Sequence, residues 1–291
     1  MILLTGASGT VGRALLPLLL ERDTVRALVR DPRRLGRHRV EVQLAFGDLA
    51  GLHDQHLRRQ ALRGVDTVIH LAATIRDQPH APVEELNAMA TARLLRSAVA
   101  TGTERFLFFS AIGASEFQRT RFFRAKAIAE RAVLESPLDK TVLAPSIVYD
   151  RDDPWVTIMR RLALLPLLPV SGSGQAAFQP IWAEDVARAV VAVLDSDPPA
   201  ERLELAGPET LTYEQMARVI ARAAGRERAV VHVPLNLVRL GLRGLRAVVG
   251  DAAFATWEEA ELMEVPMVAR RGDADVRALG VEPRRMADVL S

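Results

Sequence analysis

Apolar runs and turn signals alternate along the first half of the chain. Ile2-Leu3-Leu4 is a short apolar run closed by Thr5; Gly6, Gly9 and Gly12 follow, and then an apolar helical pattern through Leu20. The pattern predicts strand, glycine turn and helix from the first residues onward. It then predicts strands over Thr24–Val29, Val40–Ala45, Thr67–His70, Arg105–Phe109 and Thr141–Leu143. Helices are predicted over His53–Arg63, Pro82–Ala100 and Arg121–Glu135. Short apolar strands alternating with helices and short links indicate a doubly wound parallel α/β sheet of the Rossmann type, covered on both faces. In such sheets ligands sit at the carboxyl ends of the strands, so every segment from Gly6 to Pro145 that follows a strand is directed at one crevice.

Beyond Tyr149 the rhythm changes. Trp155–Leu165 reads as helix, Ser171–Gly174 as a turn, Phe178–Trp182 as strand, Ala183–Leu194 as helix and Arg202–Leu205 as strand. Thr212 with Gln215 three residues on forms a capping box opening a helix to Ala224, and the chain from Val230 reads as mainly helical. The expected organisation is a dinucleotide-binding domain over 1–150, with 176–206 returning to it. A smaller, mainly helical lobe would comprise 151–175 and 207–291.

The glycine turn carries the first chemical signal. Glycine lets a backbone bend sharply and approach phosphates, and the following helix offers free N–H groups and a positive dipole end. The spacing Gly6-x-x-Gly9-x-x-Gly12 differs from the usual dinucleotide fingerprint, so its context, a buried strand before and a helix after, carries the reading.

Composition narrows the classes. With 49% apolar and 25% charged residues the 291-residue chain has an ordinary globular make-up. The 38 basic residues nearly balance 36 acids and are spread beside them, which argues against nucleic acid as a partner. No cysteine is present, so thiolate metal sites, nucleophiles and disulfides are excluded, and no metal is expected. No run reaches the ~20 apolar residues of a membrane span. The chain enters its first strand without a charged leader, which reads as cytoplasmic. Leu235–Val249, with Arg239, Arg243 and Arg246 at helical spacing, reads either as a helix packed on its own domain or a partner, or as a peripheral membrane contact.

A set of segments in fixed order carries a resemblance. These are TGASGTVG, ALVRDP, GDL, VIHLAA, Asn87 in ELNAMATARLL, FFSAIGAS, FFRAKAIAE, APSIVYD, FQPIWAEDVA and LAGPETLTYEQ. Together they resemble the atypical extended short-chain dehydrogenase/reductases, with the subgroup of the 39-kDa accessory subunit of respiratory complex I nearest and the NmrA-like redox-sensor branch as a neighbour. The resemblance implies that Gly6, Ser8, Gly9, Thr10, Val11 and Gly12 hold the pyrophosphate. It puts Asp48 and Leu49 beside the adenine, Leu71, Ala72 and Ala73 under the ribose, and Pro145 beside the nicotinamide. Asp48 also reads as a turn-capping carboxylate after Gly47. Arg30 at the end of the second strand, with Arg33 and Arg34 nearby, suits a ribose 2′-phosphate and predicts NADP(H) over NAD(H); in so Arg-rich a chain these are alternatively solvated loop charges.

The family draws its chemistry from Tyr-x-x-x-Lys on the helix after the fifth strand, helped by a serine at that strand's end. Lys126 is present, one of two lysines in the chain, and Ser110 stands at the strand end. Phe122 occupies the tyrosine position and cannot exchange a proton. Lys126 is expected on the nicotinamide ribose, the alternative being a solvated helix lysine. The expected substrate is small and apolar or aromatic, in a pocket walled by Phe122, Tyr149, Trp155, Phe178, Gln179 and Trp182, several of which also read as lobe core. Two functions follow: an NADP-dependent oxidoreductase on a carbonyl or quinone-like compound with a non-classical proton donor, or a non-catalytic redox sensor or complex-assembly protein.

Overall fold

The computed structural model describes residues 1–49, 51, 53–79, 81–196, 200–241 and 257–291. The first half alternates as the hydrophobic pattern requires: β1 (Ile2–Thr5), α1 (Thr10–Leu20), β2 (Val25–Val29), β3 (Gln43–Phe46), α2 (Asp54–His56), β4 (Thr67–His70), α3 (Ala90–Thr101), β5 (Arg105–Phe109), α4 (Arg121–Leu134) and β6 (Asp139–Pro145). Two departures from ideal geometry matter. A π-helical turn over Leu57–Ala61 continues α2, and another over Glu85–Met89 opens α3. The strand expected over Val40–Ala45 begins later because Pro32–Val40 forms tight 3₁₀ turns, with Gly36 in the left-handed region at φ 59°.

The later chain adds β7 (Val148–Tyr149), α5 (Pro154–Leu162), β8 (Leu167–Ser171), β9 (Ala177–Phe178), β10 (Ile181–Trp182), α6 (Ala183–Leu194), β11 (Arg202–Leu205), β12 (Leu211–Thr212), α7 (Tyr213–Ala223) and β13 (Ala229–Val233). Short helices at Trp257–Leu262, Ala274–Ala278 and Met286–Leu290 follow, so the C-terminal region is smaller and largely helical. The expected strand over Phe178–Trp182 is two separate two-residue pairings. The expected helical character from Val230 gives way at its start to β13, which pairs in parallel with β8.

Seven strands form one parallel sheet in the order β11-β6-β5-β4-β1-β2-β3. The order reverses at β1 and β4, and the topological switch at their carboxyl ends is where a parallel sheet opens a crevice. Fully buried β1 and nearly buried β5 are continuous apolar runs, as central parallel strands must be. On one face α1 packs against α6 through Leu15, Leu16, Leu19, Val186 and Val190. On the other, Leu94, Ala98, Ala129 and Val133 of α3 and α4 meet Phe106 and Phe108. A further cluster, centred on Tyr149, Phe178, Met216 and Ile220, forms the core of the C-terminal region. The Thr212–Gln215 capping box opens α7, as its sequence pattern predicts.

Candidate functional site

The glycine turn owes its shape to two close approaches. Gly6 lies at φ 75°, and a Cβ on it would fall 2.7 Å from the Ala72 nitrogen at the end of the neighbouring strand. A Cβ on Gly12 would fall 2.3 Å from the Gly6 carbonyl oxygen. Gly6 therefore lets β1 and the segment after β4 come together, and Gly12 seats α1 on the turn. Gly9 is the N-cap of α1; its amide donates to the Gly6 carbonyl at 3.0 Å. No side-chain cap bonds to this helix end and its first turn carries no acid, so its amide groups face an electropositive opening suited to phosphate.

These residues edge a cleft of about 290 Å³. Of the cofactor set it brings together Gly6, Ser8, Gly9, Arg30, Asp48, Leu49, Leu71, Ala72 and Ala73. Thr10, Val11 and Gly12 lie behind it in the first turn of α1, and Pro145 ends β6, its carbonyl accepting from the Ile112 amide. Arg34, named with Arg30 in the sequence, also lines it, as do Thr74, Gln78 and Leu86, which sequence reasoning missed. Arg30 and Asp48 face each other, Nη1 to Oδ2, at 3.5 Å.

A buried polar chain holds the floor of the cleft. The Thr91 hydroxyl donates to the Asn87 carbonyl at 2.6 Å, so it accepts from His70 Nε2–H at 2.8 Å. His70 Nδ1 is then the acceptor for the Thr5 hydroxyl at 2.7 Å, and Thr5 Oγ1 in turn accepts from the Ala72 amide at 3.3 Å. Asn87 brackets Thr74, its Oδ1 accepting from the Thr74 amide and its Nδ2 donating to the Thr74 carbonyl. Burial, with Lys126 adding a smaller repulsion, pushes His70 down to about 3, so the ring is neutral. The signal for His70 was available: a histidine closing an otherwise apolar central strand.

The catalytic candidates sit differently. Lys126 is buried, its Nζ donating to the Phe109 carbonyl at 2.5 Å and lying 4.8 Å from the Phe108 ring centre. Burial brings its ammonium down to about 7, against a smaller opposing pull from Glu130 one turn on. This replaces the solvated-lysine alternative: the side chain points into the protein. The Ser110 hydroxyl donates to Glu130, which also accepts from Arg202 Nε at 2.7 Å. Ser110 thus commits its donor to a carboxylate between α4 and β11 and does not line the cleft. Phe122 meets Phe123 edge to face at 5.4 Å and packs against Val83, Ala88 and Ala125.

The six residues expected to wall a substrate pocket are mainly packing. Tyr149 and Phe178 have no exposed surface and stand in the C-terminal core, with Trp155 and Phe122 packed against it. Burial, reinforced by carboxylates at Asp185, Glu209 and Asp288, holds the Tyr149 phenol far above its ordinary range, so it stays protonated. Gln179 Oε1 accepts from the Ala269 amide at 2.7 Å. Trp182 donates to Asp150 at 3.1 Å beneath the Arg284 guanidinium. These contacts tie the C-terminal segment to the residues around β9 and β10, and of the two readings of these six residues the packing matches lobe core.

Comparison with known proteins agrees with the cleft. A family model described as NAD(P)H-binding matches residues 6–197. A (4-alkanoyl-5-oxo-2,5-dihydrofuran-3-yl)methyl phosphate reductase of Streptomyces griseus is 30% identical over 251 residues, 84% of this chain and 79% of that protein. The mitochondrial NADH dehydrogenase (ubiquinone) 1 alpha subcomplex subunit 9 of Arabidopsis thaliana is 34% identical over 125 residues, 41% of this chain and only 30% of the plant protein. Among solved structures, the UDP-glucose 4-epimerase of Thermus thermophilus in complex with NAD superposes with a TM-score of 0.74 at 19% identity, over 99% of this chain and 96% of that one.

The expectation of NADP(H) is overturned. Five similar solved structures, at 19–21% identity, hold NAD. In the cleft Arg30 faces the Asp48 carboxylate at 3.5 Å, which partly offsets its charge. A glycine cradle, an open helix start and a match spanning most of the alternating sheet lead to one conclusion: this chain belongs to the NAD(P)H-binding Rossmann-fold family related to the extended short-chain dehydrogenase/reductases and the accessory subunits of complex I.

Proposed function

We propose that the chain is an NAD(H)-dependent oxidoreductase acting on an electron-poor apolar acceptor, a conjugated carbonyl or quinone-like compound. The observation that supports this most is the cleft at the switch point, which joins the glycine turn, Asp48 and the Leu71–Ala73 segment in one opening. In this reading the amides after Gly6 hold the pyrophosphate, Asp48 accepts from the adenine amine, and Leu71–Ala73 run under the ribose. Lys126 turns from the Phe109 carbonyl to the nicotinamide ribose, beside Pro145. The bound dinucleotide supplies hydride. Phe122 neither gives nor takes a proton, so the proton is taken from solvent or from a group of the substrate. That suits acceptors whose reduced form is a stabilised anion. The reductase relative from Streptomyces griseus acts, by its name, on an unsaturated lactone with a second carbonyl, a conjugated acceptor that also carries a phosphate.

Two observations favour a second reading, a dinucleotide-binding sensor or assembly protein such as the NmrA-like branch. Phe122 stands in place of the acid, and Ser110 is engaged by Glu130. The test is NADH oxidation by the full chain against a panel of quinones, unsaturated lactones and aldehydes, alongside NADH and NADPH titrations. Turnover with the conjugated acceptors supports the enzyme. Tight NADH binding with no turnover on any acceptor supports the sensor, and failure to bind NADH sinks both.

A further inference from the structure

A second surface lies in the C-terminal region and shares no lining residue with the dinucleotide cleft. The parallel pair β8–β13 has Leu168 and Val170 buried against the core. The register sets Leu167 beside Ala229, Pro169 beside Val231 and Ser171 beside Val233, so the outward face is apolar apart from Ser171. Leu167 and Val231 are exposed on it. Leu164 and Leu165 precede β8 at 62% and 47% exposure, and Leu237 and Leu240 follow β13 at 58% and 68%. Scattered exposed leucines are ordinary; here Leu164, Leu165 and Leu167 are exposed together at the start of an apolar strand pair, with Leu237 and Leu240 beyond its far end.

Charge identifies the occupant. At the start of the pair is a cavity of about 310 Å³ that shares Leu168 and Ala229 with the sheet, reaches α7 and is otherwise lined mainly by Arg218, Arg222, Arg226 and Arg228, with Glu227 as its one carboxylate; Arg218 pairs with Glu214 at 2.7 Å and Arg222 with Glu227 at 3.8 Å. Arg228 Nε donates to the Ala163 carbonyl, which joins the cavity to Leu164. Residues 154–171 and 226–241 together hold five arginines and one acid, although the whole chain is nearly balanced. Two copies set face to face would oppose these arginines to one another. No described helix is long and apolar enough to cross a membrane, so the face can meet a bilayer only at its surface.

We propose that this face docks on an anionic phospholipid surface, the arginine-lined cavity taking lipid phosphates while the leucines around β8–β13 enter the interfacial layer. The reading is independent of the dinucleotide chemistry. Its test is flotation of the full chain with phosphatidylcholine vesicles, with and without phosphatidylglycerol, at low and raised salt. Wild type floats with the anionic vesicles only, and raised salt releases it. Arg222→Gln and Arg226→Gln each lower the partition about fivefold. Leu164→Ser with Leu240→Ser lowers it further, while the melting midpoint and dinucleotide titration stay as in wild type. Three results overturn the proposal: no flotation, equal flotation on neutral vesicles, or a dimer that the leucine variant disperses. It also fails if inorganic phosphate raises the melting midpoint through these arginines while vesicles leave the protein in solution, since the cavity then serves a soluble phosphate.

Discussion

The two ends of the strand-end crevice are built from different materials. Around the glycine turn the shape is made by backbone: Gly6 and Gly12 permit contacts that any side chain would block, and Leu71–Thr74 is held by hydrogen bonds to main-chain groups. Around α4 the matter lies with side chains, and each is already engaged within the protein. Lys126 is on the Phe109 carbonyl, Ser110 on Glu130, Phe122 in an apolar seam. The difference separates binding from reaction. The first end is ready for a dinucleotide as it stands, whereas the proposed chemistry at the second would need Lys126 to change partner.

The comparison breaks most readily at Gly12. Gly12→Val sets side-chain atoms into the Gly6 carbonyl and should cost on the order of 3 kcal/mol of stability while removing NADH binding. Denaturant unfolding and a fluorescence titration check both, and NADH affinity within tenfold of wild type would show that the backbone cradle is not what binds. At the other end, Phe122→Tyr should raise reduction of simple aldehydes about a hundredfold if an acid is all that is missing. An unchanged rate in steady-state assays would mean that the lysine and serine are also misplaced for that chemistry.

A pH series sharpens the floor between them. His70 is held neutral with its pKa depressed to about 3, so below pH 6.5 the unfolded chain takes up a proton that the folded one refuses. Stability should therefore fall as pH drops from 6.5 toward 3, by up to about 1.4 kcal/mol per unit from this group. Urea melts at successive pH values should show that slope in wild type and a shallower one in His70→Gln. The smallest effect is expected at the mouth. Arg30→Ala removes an exposed partner of Asp48 and should change NADH affinity by less than about threefold.

Much of this was legible in the chain, and the reasons differ by element. The bounds of β5, α6 and β11 follow directly from apolar runs and turn residues, since local pattern and burial agree there. The glycine turn was legible because only glycine satisfies its geometry. The β8–β13 pair was not: it joins segments about sixty residues apart, and Pro166 and Pro169 argue locally against a strand. Pro169 is tolerated because β8 has a partner on one side only. At the site, strand-end positions were readable but side-chain directions were not. Ser110 turns away because Glu130 and Arg202, distant in sequence, converge beneath it. The choice between pocket wall and lobe core was hidden for the same reason, since Gln179 and Trp182 are claimed by Ala269, Asp150 and Arg284.

The chain of bonds from Ala72 through Thr5, His70 and Thr91 to Asn87 runs in one direction only, each member donating to the next. Its consequence is thermodynamic. A segment that must be ordered on each encounter charges that disorder against affinity, whereas this one is ordered when the protein folds. Calorimetry of NADH binding should therefore show little conformational entropy loss from residues 71–74. Removing the Asn87 amide group should show up as a less favourable binding entropy before it shows up as a lost contact.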